Sequence, residues 1–399
     1  MIDWASLEAR NSPLNAFVDF DRNATGGDGP LAGVTVGVKS NIAVRGLPWT
    51  GGMGTRRGVV AERDAEVVRR LRAAGAVILG TLGMHEGALG ATSDNAFYGR
   101  VHNPHRHGYT PGGSSGGSGA AVAAGLCDVA LGTDTLGSIR IPAAYNGVYG
   151  LKPTKGRVPE DGLLFLEPGF DTIGPLAREL GVLERAFAVL AEDKAGLRNG
   201  SGATDEPASF TRHLTLADLN GVEVEPAVRA GYEHALAAID LPHSELTLPF
   251  DTATIRLAGL VPAAQYLIGE LGEARHGGDV SPELKWLLTA IERQPARTDV
   301  LAAVREQLLE ALGDDGVLVM PTTPQVAFRH GPTPSTQAEF TSLANIAGLP
   351  ALAVPAGRDA SGLPVSVQLV GPAESEYRLI ALAGRLEPVL GGAVLPRGE

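Results

Sequence analysis

Apolar and polar positions along the chain fall into two alternating periodicities. "GVTVGV" (33–38) reads as a strand. "DAEVVRRLRAAGA" (64–76) repeats Val67, Val68, Leu71 and Ala74 at helical spacing, and "VILG" (77–80) follows as a short buried strand. The same alternation continues with "SGAAVAAGL" as a helix of small residues and "DVALGTD" (128–134) as a strand running into a loop. Further on, "DVLAAVREQLLEAL" (299–312) predicts an amphipathic helix, and "GVLVMP" (316–321), "LPALAVP" (349–355) and "GLPVSVQLVGP" (362–372) predict strands. Strands and helices in alternation imply an α/β fold. Residues 192 to 215 and 271 to 283 are polar and Gly-rich and read as insertions or mobile loops, and the final "GGAVLPRGE" reads as a frayed end.

Composition narrows the function classes. With 44% apolar and 20% charged residues in 399, the chain has the make-up of a folded globular protein. A formal charge of −12 gives no basic footprint for a nucleic-acid backbone, so no nucleic-acid partner is expected. Cys127 is the only cysteine, which excludes an intrachain disulfide; its small apolar neighbours predict a buried, inert thiol. The acidic "MIDWASLEAR" start is unlike a signal peptide, and no uncharged apolar run is long enough to span a bilayer. A cytoplasmic protein with no membrane partner is the expectation, with a homodimer left open.

"TPGGSSGGSG" (110–119) reads in three ways, as a linker, a phosphate cradle or an active-site wall. It runs straight into an apolar helix, which removes the linker. It lacks both Gly-Lys-Ser/Thr and a preceding dinucleotide-type strand, which argues against a nucleotide site. "GVKSN" (37–41) adds a lysine at a strand end, and "LGTDTLGSIR" (131–140) a serine between a Gly-containing turn and a helix start.

With these stretches in place, the sequence resembles the amidase signature family, whose members carry a Ser–cis-Ser–Lys triad. The resemblance covers nearly the whole chain, in order: "GPLAGVTVGVKSNIAVRGLP", "TPGGSSGGSGAAVAAG", "LGTDTLGSIRIPAAYNGVYGLKPT", "FDTIGPLAR", "MPTTP" and "ANIAGLPALAVP". It implies a three-layer α/β/α fold with a large mixed central sheet, in one amidase domain over 1–399. Within it the catalytic core spans about 30–190, a variable substrate-region segment about 191–300, and the C-terminal part of the sheet about 300–390.

By the same resemblance Ser138 is the nucleophile, Ser114 the bridging serine and Lys39 the base. The backbone amides of Thr135, Leu136, Gly137 and Ser138 are the expected oxyanion hole, and Met84, His85, Gly113, Tyr145 and Phe170 the expected substrate pocket. No cofactor and no metal are implied. The expected activity is hydrolysis of a small-molecule carboxylic amide, a linear amide, through an acyl-Ser138 intermediate. Two alternatives stand beside it: the A subunit of a glutamine-dependent tRNA amidotransferase, and a non-catalytic binding protein of the same fold. The amidotransferase component would call for an acidic residue three before the threonine of "EFTSLAN", where Ala338 stands, and for a Tyr-Asp block not evident between 250 and 300.

The chemistry requires a neutral lysine. From about 10.4, burial with no carboxylate adjacent in sequence must draw Lys39 toward roughly 7–8. Three departures from the family pattern are visible: Leu136 where glycine is usual, Ser40 for aspartate and Asn146 for a common cysteine. Leucine would be strained if that position required positive φ; tolerance, with Leu136 narrowing the pocket, is the expectation. His102, His105 and His107 in "HNPHRHG" have metal-compatible spacing but no companion ligands, so a polar loop is expected there. His85 with Glu86 either lines the cavity or packs behind it. Asp134 and Arg140 are expected to pair across the nucleophile's turn. Trp49, Tyr145, Phe165 and Phe170 are pocket walls or core.

Overall fold

The computed structural model describes residues 2–193 and 209–396. Its strands are β1 (Phe17–Phe20), β2 (Thr35–Lys39), β3 (Val77–Leu82), β4 (Val129–Asp134), β5 (Tyr149–Lys152), β6 (Thr172–Ala177), β7 (Arg212–Leu216), β8 (His243–Leu246), β9 (Gly316–Pro321), β10 (Ala351–Arg358) and β11 (Pro364–Val370). The α-helices are α1 (Trp4–Asn11), α2 (Glu66–Ala73), α3 (Gly116–Ala123), α4 (Arg140–Asn146), α5 (Leu180–Leu190), α6 (Pro226–Ala237), α7 (Thr252–Leu271), α8 (Pro282–Ile291), α9 (Thr298–Leu312), α10 (Ser342–Ala347) and α11 (Glu376–Leu390).

All eleven strands join one sheet in the order β1-β3-β2-β4-β6-β5-β10-β11-β9-β7-β8. It is mixed: β3-β2-β4 and β9-β7-β8 run parallel, and the strands between β4 and β9 pair antiparallel. Successive strand residues point to opposite faces, and the core divides accordingly. Ile78, Val129, Leu131 and Leu352 pack with Val67 of α2, Phe187 of α5 and Leu386 of α11. Leu79, Ala130 and Ala353 pack on the other side with Leu7 of α1 and Ala120 and Val122 of α3. Helices on both faces of a sheet make the three-layer α/β/α arrangement. The central strands are buried on both faces, which explains why they read as continuous apolar runs.

Every residue of α3 is buried. Its Gly and Ala side chains are the condition for this, because a Cβ at Gly117 would collide with the Gly83 carbonyl oxygen. The Gly/Ser stretch is thus a close-packed wall.

Two loop expectations are corrected. In 192–215, residues 194–208 lie outside the described ones, but Arg212–Leu216 is strand β7, paired on both edges, with four of its five residues buried. In 271–283, Gly272–His276 forms a 3-10 turn and α8 begins at Pro282, capped by the Ser281 hydroxyl, which accepts from the Leu284 amide.

Candidate active site

Lys39 ends β2 and Thr133 lies near the end of the neighbouring parallel strand β4, so both stand at the carboxyl edge of the sheet, where open α/β folds place their ligands. Lys39 has the strand parity of Gly37, the face that α3 covers. Ser114 stands just before α3 and Ser138 in the turn between β4 and α4. Lys39 Nζ donates to Ser114 Oγ at 2.7 Å and to Thr133 Oγ1 at 2.6 Å. The Gly113–Ser114 peptide is cis. The backbone amide of Ser115 donates to the Ser138 carbonyl at 3.3 Å, which ties the two serine-bearing turns together.

Lys39 is fully buried. Desolvation draws its ammonium from 10.5 to about 7, against the charges of Asp171 and Asp134, which favour the protonated form. The Asp171 carboxyl is itself pushed up to about 6 by burial, although it accepts hydrogen bonds from the Thr135 hydroxyl and from the amides of Leu166 (2.7 Å) and Glu167 (3.1 Å).

The turn that carries Ser138 is held from behind. Asp134 and Arg140 do pair, fully buried, at 2.9 and 3.0 Å. Asn345 Nδ2 donates to Asp134 Oδ1, while Arg140 also donates to Gln368 and Asn345. Burial, the largest single influence, would raise the Asp134 carboxyl, but the charges of Arg140 and Lys152 and the hydrogen bonds from Arg140 and Asn345 together hold it at about 2.

Asp134 also accepts from the amides of Gly137 (2.7 Å) and Ile139 (3.1 Å). Gly137 is therefore removed from the expected oxyanion hole, its N–H being committed to a carboxylate; the amides of Thr135, Leu136 and Ser138 remain for that role. Positive φ belongs to Gly137 (131°), where a Cβ would collide with Thr341 Oγ1, and Leu136 is outside that region. This explains how leucine is accommodated: its side chain turns outward against Gly259 of α7, and its carbonyl accepts from the Thr341 hydroxyl at 2.6 Å.

A cavity of about 310 Å³ opens beside Ser138. Its wall includes Gly113, Thr135, Leu136 and Ile141 on the Ser138 side, and Leu260, Ala263, Trp286 and Leu287 from α7 and α8. Of the expected pocket residues, Gly113 is on this wall. Met84, Tyr145 and Phe170 are not, and each has a packing reason. Met84 is core, joined to Leu267 and Leu288. Phe170 packs, with Trp49 and Phe165, against the main core. Tyr145 is fully buried; its hydroxyl accepts from Gln325 at 2.6 Å and donates to Gln337, which does line the cavity, at 3.2 Å.

His85 also packs behind the wall: its ring meets the Thr92 hydroxyl at 3.2 Å, its amide donates to the Ser114 carbonyl at 3.0 Å, and burial lowers its pKa to about 4. Glu86 accepts from the Ser281 amide at 3.3 Å. His102 stacks on His107, while His105 Nε2 faces the Asn146 carbonyl at 3.0 Å. Among the described residues no group of three or more His, Cys, Asp or Glu could hold a metal. Burial pushes the Cys127 thiol up to about 12, which makes it inert. Among the described residues no helix is long and apolar enough to cross a membrane.

Sequence reasoning missed Thr133, Asp171 and the stapling role of Asn146, whose Nδ2 donates to the carbonyls of Pro111 (2.7 Å) and Pro142 (2.8 Å). Thr133 and Asp171 lie inside "LGTDTLGS" and "FDTIG", at the ends of apolar strands, but neighbouring Asp134, Thr135 and Thr172 are polar too, so nothing in the sequence singles them out.

A model of the Amidase family matches residues 7–240 and 281–380. The chain belongs to the amidase family. It is 32% identical to the A component of the glutamyl-tRNA(Gln) amidotransferase of Methanospirillum hungatei, over 93% of this chain and 96% of that one. It is 36% identical to the protein of the same name from Deinococcus radiodurans, over 92% and 85%. Among solved structures, one described as an amidase superposes with a TM-score of 0.84 at 29% identity, covering 97% of this chain and 95% of that one. The corresponding amidotransferase component of Thermotoga maritima superposes at 0.81 and 25%, covering 99% and 93%.

Proposed function

We propose that this amidase hydrolyses a small, largely apolar carboxylic amide through an acyl-Ser138 intermediate. The observation that carries the reading is the buried Lys39–Ser114 hydrogen bond at 2.7 Å, beside a mainly apolar cavity that Ser138 borders. Neutral Lys39 takes the Ser114 proton as Ser114 takes that of Ser138, and Ser138 Oγ adds to the carbonyl carbon. The oxyanion faces the amides of Thr135, Leu136 and Ser138. The carbon–nitrogen bond then breaks, the proton returns to the leaving nitrogen, and water hydrolyses the acyl ester to the free acid. Thr133 is a positioning residue that holds Nζ in line.

The curated relatives favour a second reading, in which the chain is the A component of a glutamyl-tRNA(Gln) amidotransferase; tRNA and partner proteins would then enter, against the expectation of no nucleic acid. The cavity chemistry supports the first reading: Ala338 is on the wall where an acid would be needed for a glutamine amino group. Ammonia release from a panel of aliphatic and aromatic amides, measured beside release from glutamine, tests the choice. The proposal expects turnover of the apolar amides and little of glutamine; the opposite ranking assigns the chain to the amidotransferase.

A further inference from the structure

On α7, Arg256, Leu260 and Ala263 fall at i, i+4 and i+7, share one face, and all line the cavity. Gly259, within a turn of Arg256, is where Leu136 packs, since a Cβ there would lie 2.8 Å from Leu136 Cδ2. Arg256 therefore stands about one helical turn from the side chain beside Ser138. Its Nε donates to Glu339 Oε1 at 3.1 Å, the single hydrogen bond of this guanidinium among the described residues. Glu339 is buried and lies two residues before Thr341, whose hydroxyl holds the Leu136 carbonyl, so the brace and the nucleophile's turn share one support.

A guanidinium has five N–H donors and Nε uses one. The Nη groups have no hydrogen-bond partner among the described residues, and an oxygen on whatever fills the cavity would satisfy them. Charge decides which oxygen. Glu339 balances Arg256, and Glu283, whose carboxyl burial pushes up, lines the same cavity. A neutral carbonyl meets donors with no net charge opposing it, whereas a carboxylate would sit near those of Glu339 and Glu283.

We propose that Arg256, braced by Glu339, is a specificity residue that binds a neutral carbonyl oxygen on the substrate, set apart from the amide cleaved at Ser138. The preferred substrates are then compounds with two carbonyls, such as diamides. This rests on the amidase reading of the site.

The test compares adipamide, its half-acid adipamic acid and the alkyl amide 6-methylheptanamide. Their dissociation constants are measured on a Ser138→Ala background, with and without Arg256→Met plus Glu339→Gln, a pair that leaves no buried charge unpaired. Thermal melting checks that the paired variant is folded. The diamide should bind about 10-fold tighter than the alkyl amide, as for a hydrogen bond from a charged donor, and the paired change should bring that ratio close to unity. Tightest binding of the alkyl amide or the half-acid, survival of the preference in the paired variant, or no binding of any of the three would overturn the assignment. Hydrolysis by the protein with Ser138 intact is measured in parallel. A binding preference for the diamide without any hydrolysis would leave the Arg256 assignment standing and sink the amidase reading.

Discussion

The two sides of the cavity are built from different materials. The catalytic side, β2, β4 and α3 with the turns of Ser114 and Ser138, is close-packed, hydrogen-bonded and made of small residues. The opposite side, from α7, α8 and residues 333–338, mixes aliphatic Leu260, Ala263 and Leu287 with polar or charged Arg256, Glu283, Thr333, Ser335 and Gln337, and Trp286 is 71% exposed at its edge. The contrast teaches that Lys39, Ser114 and Ser138 are held by a dense set of buried hydrogen bonds, whereas the opposite wall is set by individual side chains with few such bonds. On the proposed reading, chemistry is fixed on one side and choice of substrate resides on the other.

The largest effects should follow changes on the catalytic side. Ser138→Ala should lower amide turnover by about 10⁴-fold or more, and Lys39→Ala by roughly 10³-fold with the fold intact by circular dichroism. Near-normal turnover by the lysine variant would break the contrast at its base. Next in size, Arg140→Met removes the guanidinium partner of the buried Asp134 carboxylate and should cost about 3 kcal/mol in denaturant unfolding; a change under about 1 kcal/mol would show the turn to be held otherwise.

The pH dependence carries a definite sign. Lys39 must be neutral to accept a proton and its pKa is depressed to about 7, so kcat/KM should rise as pH increases through about 7 and level off above it. A profile flat from pH 6 to 9 would contradict this. Smaller still, Leu136→Ala opens the wall toward Gly259 and should shift relative kcat/KM toward bulkier amides by roughly 10-fold. Tyr145→Phe, which loses the hydroxyl between Gln325 and Gln337, should cost about 1 kcal/mol of stability and leave substrate ranking unchanged.

Legibility in the sequence follows the same division. Strands β2, β3, β4, β9, β10 and β11 are visible because they are buried on both faces along most of their length and mostly apolar, and Lys39, Ser114 and Ser138 are picked out by the family resemblance of the blocks that carry them, polarity alone not separating Ser114 from Ser115 and Ser118. Strand β7 is hidden, since "RHLTL" begins with two polar residues and its burial comes from partners distant in sequence. The substrate wall is hidden for a related reason. Arg256, Trp286 and Gln337 meet only in three dimensions, and no periodicity records that α7 and α8 face Ser138. Tyr145 and Phe170 show the converse error, aromatics judged by type, when one is fully buried and the other packs half-buried against the main core. Gly137 reads as an oxyanion donor because sequence cannot show that Asp134 already occupies its amide.

The most direct test is labelling by a fluorophosphonate, read by intact mass and peptide mapping across pH. One adduct per chain on Ser138, forming faster as pH rises through about 7 and lost in Lys39→Ala, is the predicted result. An adduct elsewhere, or labelling of Ser138 at an unchanged rate without Lys39, would contradict a nucleophile activated by a buried neutral amine.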